Sequence, residues 1–240
     1  MLPQPDKRVQ KLLKANQVLA KFAEVFVHAQ QPLKVLDLSC GPRLDVRQVV
    51  QHFGHQWVGV DIVGYPGVIQ ADAHHLPFAD AEFDVVYSAV GFEYYRDPWQ
   101  AMREVNRVLK PGGYFLASIA FLTPCHGSYF HMTHQGISAL LEQNGIAVLQ
   151  LHPSQEQGVP YLIRKLFDRV PGLGGALAPI GTLLVGLHRL LNWGAVAAIH
   201  LKCRNDAKVK KTKLDHVKEQ ALYWSALIIV QGRKEHPLGS

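Results

Sequence analysis

Over the first 120 residues, short apolar runs alternate with stretches in which apolar side chains recur every three or four positions. The runs are too short for helices and are rich in valine and aromatic residues. They predict buried strands over 34–39, 56–61, 67–71, 83–88 and 113–120. The periodic stretches predict helices near 44–53 and 98–109. Strands alternating with helices in this order form a parallel sheet covered on both faces, an α/β fold. Ahead of the first strand, Val9, Leu12, Leu13, Val18, Leu19, Phe22, Val25 and Phe26 fall at helical spacing within 5–29. They predict one amphipathic helix, which either packs on the sheet or closes over a ligand. Further on, Thr133 is placed to cap a helix over 134–143 that Asn144-Gly145 would stop. Residues 146–151 and 221–230 are further apolar runs.

Val35-Leu-Asp-Leu-Ser-Cys-Gly41 reads as a buried strand entering a tight turn, and Val58-Gly-Val-Asp61 as a second strand ending on an acid. Asp61 lies 20 residues beyond Gly41. At that spacing nucleotide-binding α/β folds place the carboxylate that accepts hydrogen bonds from a ribose diol. A glycine in the turn lets backbone approach a ligand where a Cβ would collide. An adenosine-containing cofactor is the expectation. The fuller dinucleotide pattern of three glycines is not kept, because Ser39 and Arg43 stand where glycines would flank Gly41.

Five later segments extend this pattern. Ala71-Asp72-Ala73 precedes Leu76-Pro77-Phe78, and Phe83-Asp-Val-Val-Tyr-Ser88 precedes Phe92-Glu-Tyr-Tyr-Arg-Asp-Pro98; Glu104-Val-Asn-Arg-Val-Leu-Lys-Pro-Gly-Gly113 closes the series. In this order and spacing, residues 33–120 resemble a class I S-adenosylmethionine-dependent methyltransferase of the small-molecule, "type 11" group. The resemblance implies a Rossmann-like, mostly parallel seven-stranded sheet, with 146–151 and 221–230 as its last two strands. It further implies that Asp37, Ser39 and Gly41 line the methionine end of the cofactor and that Asp61, with Ile62, holds the ribose. Asp72, with Ala73, would face the adenine amino group, while Ser88 and Ala89 would sit near the methyl-bearing sulfur. Arg43 either pairs with the cofactor's carboxylate or points to solvent. Tyr94 stands where this group often carries a histidine, and it joins the catalytic candidates.

The chain reads as one methyltransferase domain over 1–240 with a helical insertion at 153–218, between the last two strands. The insertion opens with a helix over 160–168 and a Gly/Pro break at 171–175. Across 170–201 the only always-charged residue is Arg189. Val170–Leu187 is 18 uncharged residues, the lower limit for a membrane span, but it holds Pro171, Pro179 and five glycines. It therefore reads as helices of a lid or cap. Lys202 to Lys218 then carries seven Lys/Arg against Asp206 and Asp215. That stripe is either a solvated face or a site for an anionic membrane or a phosphorylated substrate.

Composition changes this picture little. Hydrophobic residues at 48% exclude a disordered chain. Cys40, Cys125 and Cys203 are an odd, scattered set, which argues against a disulfide framework and fits a reducing cytosol. Met1 to Arg8 show no apolar leader core. The expected location is cytoplasmic, with peripheral membrane contact through 170–218 as an option. Much of the formal charge of +6 sits in the basic stripe. No Asn/Asp-Pro-Pro-Tyr motif occurs, which argues against a nucleic-acid substrate.

Methyl transfer is a direct displacement, so the protein must align the reacting atoms and remove a proton from a hydroxyl or ammonium acceptor. The loop Cys125-His-Gly-Ser-Tyr-Phe-His-Met-Thr-His134 follows the fifth strand and offers three imidazoles plus Tyr129. His126 and His131 are the preferred bases, against a structural role for each; His134 falls in the first turn of the next helix. Cys125, His126, His131 and His134 do not have pair-and-pair zinc spacing, so no metal is expected. Phe92, Tyr94, Tyr95 and Trp99 either form an aromatic wall for substrate or belong to the core.

The expected function is methylation of O or N on a small, apolar metabolite, such as a secondary metabolite or lipid-like intermediate. The alternative is a non-catalytic cofactor-binding partner module. The apolar insertion serves equally as a lid, a homodimer interface or a membrane contact.

Overall fold

A computed structural model of the chain describes residues 6–15, 17–122, 127–154, 161–163, 173–202, 211–214 and 227–235. The chain divides into two compact units. One holds residues 1–120, 128–151 and 229–240; the other holds 121–127 and 152–228.

In the first unit, helices α1 (Lys7–Ala15) and α2 (Gln17–Val27) lead into β1 (Lys34–Leu38). Then come α3 (Asp45–His52), β2 (Gln56–Asp61), β3 (Ile69–Gln70) and β4 (Phe83–Ala89). A 3₁₀ turn, Phe92–Tyr94, connects to α4 (Pro98–Val108), β5 (Leu109–Ala120), α5 (His134–Glu142) and β6 (Ile146–Pro153). Helix α6 (Leu173–Lys202) lies in the second unit, and β7 (Leu227–Lys234) completes the sheet. The strand order is β3-β2-β1-β4-β5-β7-β6. The pairs from β3 through β5 are parallel, and a single antiparallel hairpin closes the far edge. The Rossmann-like, mostly parallel seven-stranded sheet that the sequence predicts is therefore present.

Both faces of the central strands are buried, which is why they read as continuous apolar runs and not as alternating ones. In β4, Phe83, Val85, Val86 and Tyr87 are all within 1% of full burial. Leu19, Phe22 and Phe26 from α2 cover one face and are completely buried. Phe22 meets Phe26 edge-on at 4.3 Å and lies 4.7 Å from the Tyr87 ring. Each such side chain removed from water stabilises the fold by roughly 1.5–3 kcal/mol.

Five elements differ from the sequence reading. Strand β3 spans only Ile69–Gln70, both exposed, against the buried strand expected over 67–71. The single amphipathic helix over 5–29 is two helices, α1 and α2, on either side of residue 16. Strand β5 starts at Leu109 and runs through Pro111-Gly-Gly113. Phe83 pairs with Leu109 but Val85 with Tyr114, so the Pro-Gly-Gly segment is taken up as an irregularity within the strand. Strand β7 runs from Leu227 to Lys234, further along than 221–230; 221–226 lie outside the described residues. It continues past the apolar run because Lys234 Nζ donates to the carbonyls of Asn106 and Leu109, and Arg233 Nε to that of Gly112. The segment expected to hold several helices is one 30-residue helix, α6, which passes through Pro179. Of the helix expected over 160–168, residues 161–163 are helical and the rest lie outside the described residues. Apolar side chains of α6 stand exposed, among them Leu183 at 72% and Leu190 at 68%. Among the described residues no helix is long and apolar enough to cross a membrane.

Candidate active site

The chain leaves β1 toward β2 on one side, while β4 lies against the other side of β1. Such a reversal of strand order opens a crevice at the carboxyl ends of the strands. A cavity of about 920 Å³ lies there, walled by Ser39 after β1, Asp61 and Ile62 at the end of β2, Asp72 and Ala73 after β3, and Tyr94 after β4.

The turn after β1 is fixed by Asp61. Gly41 adopts a left-handed conformation with φ of 59°, and its N–H donates to Asp61 Oδ2 at 2.9 Å. Val63 N–H donates to the other oxygen, Oδ1, at 3.0 Å. Each carboxylate oxygen keeps a second lone pair, so Asp61 can still accept from two hydroxyls. An ideal Cβ at Gly41 would meet nothing within 4 Å, which leaves open space over the turn. Ser39 takes the same left-handed conformation, φ 59°, without being glycine. Its hydroxyl is 2.7 Å from the Tyr95 hydroxyl, a bond that holds it there. The Arg43 side chain is exposed.

The segment after β3 is built around Asp72. His74 N–H donates to Asp72 Oδ1 at 2.9 Å, and His74 Nδ1 bonds the same oxygen. The His74 backbone N–H is the main reason the Asp72 carboxyl is held below the usual range; partial burial opposes it and the His74 ring adds to it. On its far side, His74 Nε2 accepts from Asp97 N–H at 3.2 Å. Asp97 is the N-cap of α4, accepting from Gln100 N–H at 2.9 Å, and Pro98 follows it in the first turn.

Behind the cavity, the Tyr95 side chain is buried, and burial pushes its phenol well above the usual range, against the opposing pull of the Ser39 hydroxyl bonded to it and of the nearby Ser88 hydroxyl. Gly91 lies so close to this cluster that a Cβ would come within 2.7 Å of Ser88 Oγ and 3.1 Å of Tyr95 Oη. Glu93 is wholly buried, and neither carboxylate oxygen has a hydrogen-bond partner among the described residues. Burial pushes its carboxyl up to about 7, against the pull of its own backbone N–H and that of Ala120. Its carbonyl accepts from Tyr129 and Phe130 N–H at 2.8 and 3.2 Å, which ties the loop before α5 to the turn after β4.

Of the residues singled out from the sequence, Ser39, Asp61, Ile62, Asp72, Ala73 and Tyr94 share the cavity wall. Asp37 sits behind it, 2% exposed, accepting from Trp57 Nε1 at 3.1 Å. Burial pushes the Asp37 carboxyl up to about 7, with the Trp57 bond opposing and the charge of Asp61 adding. Gly41 reaches the cavity through its bond to Asp61, Ser88 is fully buried beside Gly91, and Ala89 is half-buried. The Tyr94 side chain is 46% exposed, and partial burial, then the Glu93 charge, raise its phenol. His131 is exposed and lies outside the cavity lining. His126 and Cys125 lie outside the described residues, as does most of 203–218. His134 is the first residue of α5, capped by Thr133 as expected. The aromatic cluster divides: Tyr94 and Tyr95 line the cavity, while Phe92 packs on Phe115 in the core. Trp99 Nε1 donates to Gln143. His74 and Gln100 line the cavity as well and were not singled out from the sequence; an acid two residues before a histidine was the available sign of the first.

Residues 36–117 match a family described as "Methyltransferase domain". The chain is 29% identical over 143 residues to a malonyl-[acyl-carrier protein] O-methyltransferase of Pseudescherichia vulneris, covering 54% of this chain and 53% of that one. It is 45% identical over 65 residues to a ubiquinone/menaquinone biosynthesis C-methyltransferase of a Shewanella species, covering 27% and 26%. The chain thus spans about half the length of the first relative and a quarter of the second. Among solved structures it is similar to a Burkholderia thailandensis 1,6-didemethyltoxoflavin-N1-methyltransferase with bound 1,6-didemethyltoxoflavin and S-adenosylhomocysteine. There the TM-score is 0.54 at 12% identity, covering 95% of this chain and 82% of the other.

Proposed function

We propose, from the premise that residues 36–117 place the chain among the class I S-adenosylmethionine-dependent methyltransferases, that it binds S-adenosylmethionine in this cavity and methylates an oxygen or nitrogen of a small, apolar metabolite. One observation carries the reading. Asp61 is held in place by Gly41 and Val63 N–H, faces the cavity, and retains acceptor capacity on both oxygens. That donor and acceptor set fits a ribose diol, and the space over Gly41 fits the chain that continues from it.

Bound there, the cofactor supplies a methyl carbon activated by sulfonium charge. The chain's own residues bind and orient. Asp61 fixes the ribose, Asp72 meets the adenine edge, and the Ser39–Tyr95 bond sets the path of the turn at the methionine end. The Tyr94 phenol reaches the cavity and is placed to orient the acceptor. His131 and His126 stay as proposed proton acceptors from the acceptor's hydroxyl or ammonium. An apolar acceptor is supported by the apolar composition of α6 and by the quinone pathway in the Shewanella relative's name. That relative also makes carbon the competing accepting atom.

A second reading, a non-catalytic cofactor-binding partner module, is favoured by Ser39, Arg43 and Tyr94, which depart from the family's signature. Transfer of radiolabel from the cofactor to cell extracts separates the two. Label in the organic phase is the expected result; label confined to polar products overturns the apolar acceptor, and no transfer by a protein that binds the cofactor favours the module. Contact of 170–218 with an anionic membrane, or a homodimer through the same apolar segment, is compatible with either reading. Vesicle flotation in low and high salt and the mass in solution distinguish them.

A further inference from the structure

The two ring nitrogens of His74 bridge the cavity wall to a helix start. Its Nδ1 bonds Asp72 Oδ1, and its Nε2 accepts from the backbone N–H of Asp97 at 3.2 Å. An N–H can only donate, so Nε2 must carry the lone pair and Nδ1 the proton. The ring is therefore a donor toward Asp72 and an acceptor toward α4. The His74 carbonyl accepts from Gln100 Nε2 at 3.1 Å, and the ring stands edge-on to Tyr95 at 5.8 Å. Three contacts, to Asp72, Asp97 and Tyr95, hold the ring.

The effect falls on Asp72. Its Oδ1 receives both the backbone N–H and the Nδ1–H of His74, so that oxygen is saturated. Its Oδ2 accepts no hydrogen bond among the described residues, and Asp72 lines the cavity. We infer that His74 is a positioning residue that sets nucleobase discrimination, by holding Asp72 with one carboxylate oxygen occupied and the other open to an exocyclic amino group. A 6-amino purine donates to that oxygen, whereas a 6-oxo purine presents a carbonyl and is repelled. The inference rests on the cofactor reading given above.

Calorimetry with S-adenosylhomocysteine and its hypoxanthine analogue, S-inosylhomocysteine, tests it. The parent is expected to favour the adenine compound by more than tenfold. His74→Ala is expected to lose about tenfold in affinity for the adenine compound and to leave the hypoxanthine compound unchanged, so that discrimination collapses. His74→Asn places an amide N–H near the position of Nδ1 and is expected to restore most of it; His74→Gln, which keeps an acceptor only toward Asp97, is not. Thermal melting of each variant separates misfolding from lost discrimination. Equal affinities in the parent and His74→Ala, or an equal loss for both compounds, overturn the inference alone. A folded parent that binds neither compound overturns the cofactor reading, and this inference with it.

Discussion

Gly41 and Asp61, 20 residues apart in sequence, are joined by one hydrogen bond from the glycine N–H to carboxylate Oδ2 at 2.9 Å. The end of β1 and the end of β2 are thereby locked together at the mouth of the crevice. The carboxylate that would meet the ribose is held by backbone donors, so little ordering remains for a ligand to impose.

Replacing Asp61 by Ala removes the acceptor and frees the turn. Affinity for S-adenosylhomocysteine is expected to fall by about 2–3 kcal/mol, on the order of a hundredfold. Asp61→Asn should fall between the two, because its amide can offer an oxygen to only one of the two backbone donors. Titration calorimetry measures both; parent-like binding by Asp61→Ala would remove the ribose assignment.

Glu93 makes a prediction about stability and pH. Its carboxyl titrates at about 7 in the fold and at about 4.3 in an unfolded chain. Between those values the folded state holds the extra proton, so stability falls as pH rises from about 4.5 to about 7 and then levels off. Glu93→Gln keeps the shape without the charge. It is expected to be more stable than the parent by about 1–3 kcal/mol at pH 8, with the difference shrinking toward pH 5. Part of the pH slope should survive in the variant, because burial pushes Asp37 up to about 7 as well. Denaturant melts across pH test this, and a variant weaker than its parent at pH 8 contradicts it.

Arg107 explains why two sequence segments occur together. Its guanidinium donates to the carbonyls of Leu76 and Phe78 at 3.0 and 2.7 Å and pairs with Asp80 and Glu104. Glu104 in turn accepts from Leu76 N–H at 2.7 Å. The Leu-Pro-Phe loop and the Glu-x-x-Arg helix face are thus one bonded unit. Arg107→Lys keeps the charge but cannot span four acceptors. The expected cost is about 1–2 kcal/mol, the exposed Asp80 pair adding little. Faster amide exchange over residues 76–80 should accompany it, and unchanged exchange there would count against the clamp.

Much of this was legible in the chain. Strands β1 and β4 are buried on both faces and β2 over Gly59-Val60, so their apolar stretches stand out in the sequence and their bounds fall within a residue of expectation. The Gly41–Asp61 pairing was legible because it depends on two consecutive strands and a fixed crossover. Trp99 was not: its partner Gln143 is 44 residues away, and an indole on an exposed helix turn looks the same in sequence whether it faces a cavity or a neighbour. His74 was hidden for a related reason, since the group that fixes its tautomer is a backbone N–H at Asp97, and backbone donors carry no sequence signature. The end of β7 was misjudged because Arg233 and Lys234 look like residues beyond a strand, yet the strand runs through them and their side chains satisfy carbonyls of neighbouring segments.

The strand order carries a consequence for how the protein is made. β7, the last of the sheet's seven strands in chain order, is seated between β5 and β6. While the ribosome is still translating the preceding segment, β5 has an open edge and β6 has no neighbour to zip onto. A nascent or truncated chain lacking Leu227–Lys234 therefore exposes two unpaired strand edges, the usual template for intermolecular pairing. This eight-residue strand acts as a keystone, and quality control of this polypeptide turns on whether it arrives.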